Sequence, residues 1–283
     1  MNRTTRNTLA ATVGLALMSI PATAADADEY REILDDRAQS IVKVRLIMNV
    51  SMGGQDREIP MEAAGVVLSE DGLVMVPGSA LEMDMGMGGM GGRGRGGRGR
   101  GGGGGGGGGG MPEIDASPVD IRVMIGDDFE EYEAVVAAKD PATGLSFLMI
   151  RDTEDLKLKP VDFSKTDDAA IGEDLVGVAR LGESNDFAPY FGRVQVTGKV
   201  EQPRVMWCIS GNFARSAGLP LFNHDNELIG IIARQSGGEG GMRGMMRGGG
   251  GNTQGFLVPA SQVEAVVKMA HERGRQLISG KEG

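Results

Sequence analysis

Cysteine is all but missing. The 283 residues hold one, Cys208, so the chain can form no internal disulfide. Between Trp207 and Ile209 it reads as a buried core thiol. Aromatic residues are also scarce, at 4%. The packing must then come from Val, Ile, Leu, Ala and Met, a set that suits a β-rich core. Beyond the first twenty residues, no stretch is long and apolar enough to cross a bilayer, so no integral membrane helix is expected. Positive charge is the minority sign. There are 29 Lys and Arg against 39 Asp and Glu, a net charge of -10. That balance argues against non-specific binding to nucleic acid or to an anionic membrane.

Glycine, in contrast, is abundant at 48 residues, much of it in two blocks. Residues 86–111 run through Gly-Met and Arg-Gly repeats into an unbroken glycine run, and residues 236–251 are Gly/Met/Arg-rich. Such segments cannot bury enough apolar surface to offset their ordering entropy, so disorder is expected there. The N-terminus has the three parts of a secretory leader. Arg3 and Arg6 are basic, residues 9–20 are apolar but too short to span, and Pro21-Ala22-Thr23-Ala24-Ala25 offers an A-x-A site. Cleavage after Ala24 or Ala25 would remove residues 1–25 and place the protein in the periplasm or outside the cell. The loss of two cations would take the net charge to about -12.

The rest alternates like a β-protein. Residues 26–40 are a polar arm or short helix. Residues 41–50 alternate apolar and polar side chains as a strand does. Residues 63–76 are two short strands around Ser69-Glu70-Asp71-Gly72, a hairpin signal. Further strands are expected at 119–125, 132–139, 145–150, 170–180, 192–198, 206–209, 227–233 and 255–260. Ser261 reads as an N-cap, with Glu264 three residues on, and Val263, Val266, Val267 and Ala270 share one helix face.

Four local motifs carry a resemblance. Arg215-Ser216-Ala217-Gly218-Leu219-Pro220-Leu221, a polar turn, then Leu228-Ile229-Gly230-Ile231 is laid out like the nucleophile turn Gly-Asn-Ser-Gly-Gly-Pro-Leu of trypsin-like serine proteases of the HtrA (Deg) type. Ala64-Gly65-Val66-Val67-Leu68, Asp71-Gly72 and Val76-Pro77-Gly78-Ser79 resemble that family's Ser-Gly-Phe-Ile-Ile, Asp-Gly and Thr-Asn-x-His-Val. Asp140-Pro141-Ala142-Thr143-Gly144-Leu145 resembles Asp-Pro-x-Thr-Asp-Leu, and Gly255-Phe256-Leu257-Val258-Pro259 resembles Gly-Phe-Ala-Ile-Pro. The resemblance implies an all-β chymotrypsin-like double β-barrel with a C-terminal helix over residues 41–278, followed by a tail at 279–283 where the family would begin a PDZ domain.

The resemblance also locates the catalytic triad, and finds it gone. The histidine position holds Ser79, the orienting aspartate position Gly144 and the nucleophile position Ala217. A triad acts as a unit, and alanine has no atom that can attack a carbonyl. The sequence therefore points to an exported non-catalytic protease homologue that binds a protein or peptide and needs no cofactor. Cleft-flanking candidates for that binding are Arg215, Ser216, Arg243 and Arg247. Two alternatives stay open. One is a rearranged serine hydrolase using Ser79, Ser210 or Ser216. The other is a copper-binding loop built on Met83, Met85, Met87 and Met90, because thioethers suit Cu(I). The Arg-Gly repeats lack interleaved aromatics, so RNA is not an expected partner.

Overall fold

The computed structural model describes residues 24–52, 55–82, 114–125, 130–233 and 254–280. The expected leader up to residue 23, both Gly-rich stretches and residues 281–283 lie outside these. The described residues open with helix α1 (Ala24–Arg37) and a single 3-10 turn at Ala38–Ser40. Six strands follow: β1 (Ile41–Met52), β2 (Gln55–Val67), β3 (Leu73–Pro77), β4 (Ile114–Ile125), β5 (Glu130–Asp140) and β6 (Leu145–Ile150). They close into an antiparallel barrel in the order β1-β2-β3-β6-β5-β4. Six more, β7 (Asp174–Arg180), β8 (Pro189–Val200), β9 (Met206–Ser210), β10 (Pro220–Phe222), β11 (Leu228–Ala233) and β12 (Gln254–Pro259), close a second barrel as β10-β11-β12-β9-β8-β7. Helix α2 (Ala260–Ile278) follows. Two six-stranded barrels with a C-terminal helix make a chymotrypsin-like fold, as the motif resemblance implied.

The strands at the junction explain their own composition. β3 reads Leu-Val-Met-Val and is buried on both faces. Val74 and Val76 point into the first barrel with Val44, Leu46, Val123 and Leu148. Leu73 and Met75 point the other way, into a core shared with Phe147, Leu175, Ile231 and Val258. β6 divides in the same manner, with Leu148 and Ile150 inward and Phe147 and Met149 toward the seam. A strand buried on both faces has no polar side to alternate, hence the unbroken apolar runs.

Helix α2 braces both barrels. It packs against β5 and β6 of the first and β11 and β12 of the second. Val263 and Ala270 are buried and Val266 and Val267 partly so, which is the face the spacing predicts. A Cβ on Gly274 would stand 3.0 Å from Met149 Cβ and 3.2 Å from Ala137 Cβ, so glycine sets the approach of the helix to the first barrel. The expected cap at Ser261 is not observed. The helix starts two residues earlier, capped from Pro259 with no side-chain cap bond, and Ser261 lies exposed in its first turn. The fixed φ of proline supplies the helix entry that the serine was expected to make.

Helix α1 is pinned by polar bonds as well as by buried Ile33. Arg37, 8% exposed, donates to Asn226 Oδ1 at 2.8 Å and Asn226 O at 2.9 Å, and lies over the Phe222 ring. Asp36 pairs with Lys159 and accepts from Asn226 Nδ2. Arg180 of β7 donates to Ala38 O, Ile41 O and Phe187 O, clasping the link between α1 and β1. Cys208 departs from expectation. It is free and partly exposed, because its neighbour on β8 is Gly198, which has no side chain to cover it.

Candidate functional site

The segments expected to carry the triad meet where the barrels touch. Ser79 sits in a 3-10 turn (Gly78–Ala80) directly after β3. Gly144 ends the turn before β6, in the left-handed region at φ 69°. The two turns are bonded to each other, Gly78 N donating to Gly144 O at 2.7 Å. The Gly144 turn is itself built by Asp140, whose carboxylate accepts from Ala142 N and from Thr143 Oγ1. From the second barrel, Gly218 (φ 84°) presses on Pro77, and a Cβ there would lie 2.9 Å from Pro77 N and Cδ. Gly218 follows Ala217, and Pro77 precedes Gly78 and Ser79. The fold thus gathers Ser79, Gly144 and Ala217 into one region.

The 211–219 turn is folded onto itself. Ser216 N donates to Phe213 O, Ala217 N to Arg215 O at 2.9 Å, Gly218 N to Ile232 O and Leu219 N to Ser216 O. Four consecutive N–H groups are therefore committed to carbonyls of the chain. A tetrahedral oxyanion needs donors preorganised at one point. The N–H of Ala217, at the position expected for the nucleophile, is already spent on Arg215 O. Gly255 fixes the turn from below, since a Cβ there would stand 2.1 Å from Ala214 O.

Phe213 is the residue the sequence did not single out. Gly177 of β7 and Gly192 of β8 are cross-strand partners. A Cβ on Gly177 would lie 2.2 Å from the Phe213 ring, and one on Gly192 2.3 Å. The ring fills the notch left by the facing glycines, with Tyr190 edge-on at 6.1 Å. An isolated glycine within an apolar strand is a signal of such a close approach. Gly177, between Val176 and Val178, carried that signal.

Neither histidine serves this region in the way a general base would. His271 lies on α2 and binds Asp71 in the β2–β3 turn, the opposite end of β3 from Ser79. Five residues of β3, roughly 17 Å of strand, separate the two places. His224 follows β10 and packs on Tyr30, ring centroids 5.9 Å apart. Of the binding candidates, Arg215 is exposed and Ser216 half-buried in the turn, and Ser210 ends β9 between Gln195 and Gln254. Arg243, Arg247, Met83, Met85, Met87 and Met90 lie outside the described residues. Among the described residues there is no group of three or more His, Cys, Asp or Glu placed to hold a metal ion. No helix among them is long and apolar enough to cross a membrane.

The two closed barrels with the C-terminal helix define the class, a chymotrypsin-like double barrel. The chain matches no protein-family model. No curated protein matches it.

Proposed function

We propose that the chain is an exported, non-catalytic relative of the HtrA/Deg-type serine proteases that acts by binding protein or peptide. The observation that carries this reading is the turn at Ala217. Position 217 holds alanine where the resemblance would put the nucleophile, and the N–H donors from Ser216 to Leu219 are bound within the chain. Ser79 and Gly144 on the facing turns add no base and no orienting carboxylate. A fold retained around a dismantled centre points to use of its surface rather than of its chemistry, and the motif likeness to the HtrA type gives the lineage.

The test is reaction of the protein with a fluorophosphonate serine-hydrolase probe, run beside an unfolded-protein cleavage assay. No labelling and no cleavage is the expected result. Labelling of a single serine, lost on its replacement by alanine, would overturn the reading and make the protein an enzyme with a rearranged centre. Binding is tested on the same sample by cross-linking to an unfolded protein, with Arg215→Glu expected to reduce the yield.

A further inference from the structure

The contact between α2 and the β2–β3 turn has no part in the site described above. His271 Nε2 lies 2.7 Å from both carboxylate oxygens of Asp71. Ser69 Oγ donates to Asp71 Oδ1 and accepts from Leu73 N. Arg275 Nε, one helical turn beyond His271, is 4.0 Å from Asp71 Oδ2. Among the described residues these are the ion pairs between α2 and the first barrel. Beside them Gly274 approaches Ala137 and Met149, Ala270 is buried, and Ile278 packs partly buried against the shared core. The first half of the helix is held differently, by Val263 in the shared core and by Gln262 donating to Val205 O.

We propose that Asp71 is an acid-sensitive clasp, and that its protonation frees the C-terminal half of α2 from the first barrel while both barrels stay folded. Two effects act together. A protonated Asp71 no longer offers a charged acceptor to the imidazolium. It also leaves His271 and Arg275, cations four residues apart on one helix face, without their counter-charge, and like charges at that spacing repel. The other charges nearby do not replace it. Glu264 is paired with Lys268 along the helix, and Arg151 of the first barrel is paired with Glu133. Glu70 and Glu272, the remaining acids on the turn and the helix, are exposed.

The Asp71 carboxyl supports this direction. Burial opposes its charge, but the hydrogen bonds from Ser69 and His271 and the charge of His271 outweigh burial and hold it below the usual carboxylate range. A carboxyl lowered on folding contributes stability that is complete above its unfolded pKa and is lost as the pH falls through its folded value. The clasp is therefore closed at neutral pH and opens in acid.

Amide hydrogen exchange on the intact protein, corrected for intrinsic rates, tests the clasp. Between about pH 5 and pH 3, residues 268–280 should lose protection while β6 and β11 keep theirs. Asp71→Asn should show the weaker protection at neutral pH already, with no step in acid. His271→Gln keeps a donor without the charge, leaves the turn intact and should also flatten the step. Loss of protection in helix and barrels together, or an unchanged acid step in either variant, would overturn the proposal.

Discussion

A Cβ on Gly192 would fall inside the van der Waals surface of Phe213, although nothing in the backbone of Gly192 requires glycine. The cost of Gly192→Ala is thus one of space alone, and overpacking of this kind costs about 1–3 kcal/mol. Gly182, with nothing within 4 Å of a built Cβ, is the control, and Gly182→Ala should leave stability unchanged. Urea denaturation of the two variants checks this, and equal midpoints would refute the packing account. Arg180 gives a second prediction at this scale. Its guanidinium reaches three carbonyls, of Ala38, Ile41 and Phe187, which an ammonium on a flexible stem cannot do at once. Arg180→Lys should cost about 1–3 kcal/mol in the same assay, the penalty for stranding part-buried acceptors.

Among the elements, the two helices differ in how far the sequence revealed them. The α2 face was legible because Val263, Val266, Val267 and Ala270 follow helical spacing. Its start was not, because Pro259 does the work expected of Ser261. The docking of α1 could not be read at all. Arg37 meets Asn226 across 189 positions of sequence, and nothing local to either residue announces it. That junction carries a pH dependence of its own. Burial opposes the charge of Asp36, but bonds from Lys159 and Asn226 and the charges of Arg37 and Lys159 outweigh burial and lower its pKa. Asp162 is lowered by Ser164, against a smaller burial penalty. With Asp71 also lowered, stability should be level above about pH 5 and should fall with pH below about 4, where unfolded aspartates take up protons first. Urea midpoints measured across that range check the sign. A rise in stability with acid would contradict it.

For the whole molecule, many strands were readable because strands buried on both faces leave unbroken apolar runs and a hairpin turn leaves Asp-Gly, while the double barrel was legible only through the motif resemblance. The meeting of Ser79, Gly144 and Ala217 at the barrel junction was legible because each lies within its own flanking motif. The state of the turn around Ala217 was not, since hydrogen-bond commitments of main-chain N–H groups have no signature in side-chain identity. That gap yields a sharp prediction. Grafting the triad by Ser79→His, Gly144→Asp and Ala217→Ser should still give no fluorophosphonate labelling, because the N–H at position 217 is bound to Arg215 O. Labelling at position 217 in the triple variant would show instead that the missing side chains were the sole defect.

The placement of α2 also fixes an order of events in synthesis. The helix that ties β5 and β6 to β11 and β12 comes after both barrels in the chain. Each barrel has all of its strands before the helix leaves the ribosome. Until then the flank formed by Ala137 and Met149 stands open to water. A growing chain of this protein therefore passes through an interval with two assembled barrels and an uncovered apolar flank, the condition in which nascent chains associate or recruit chaperones.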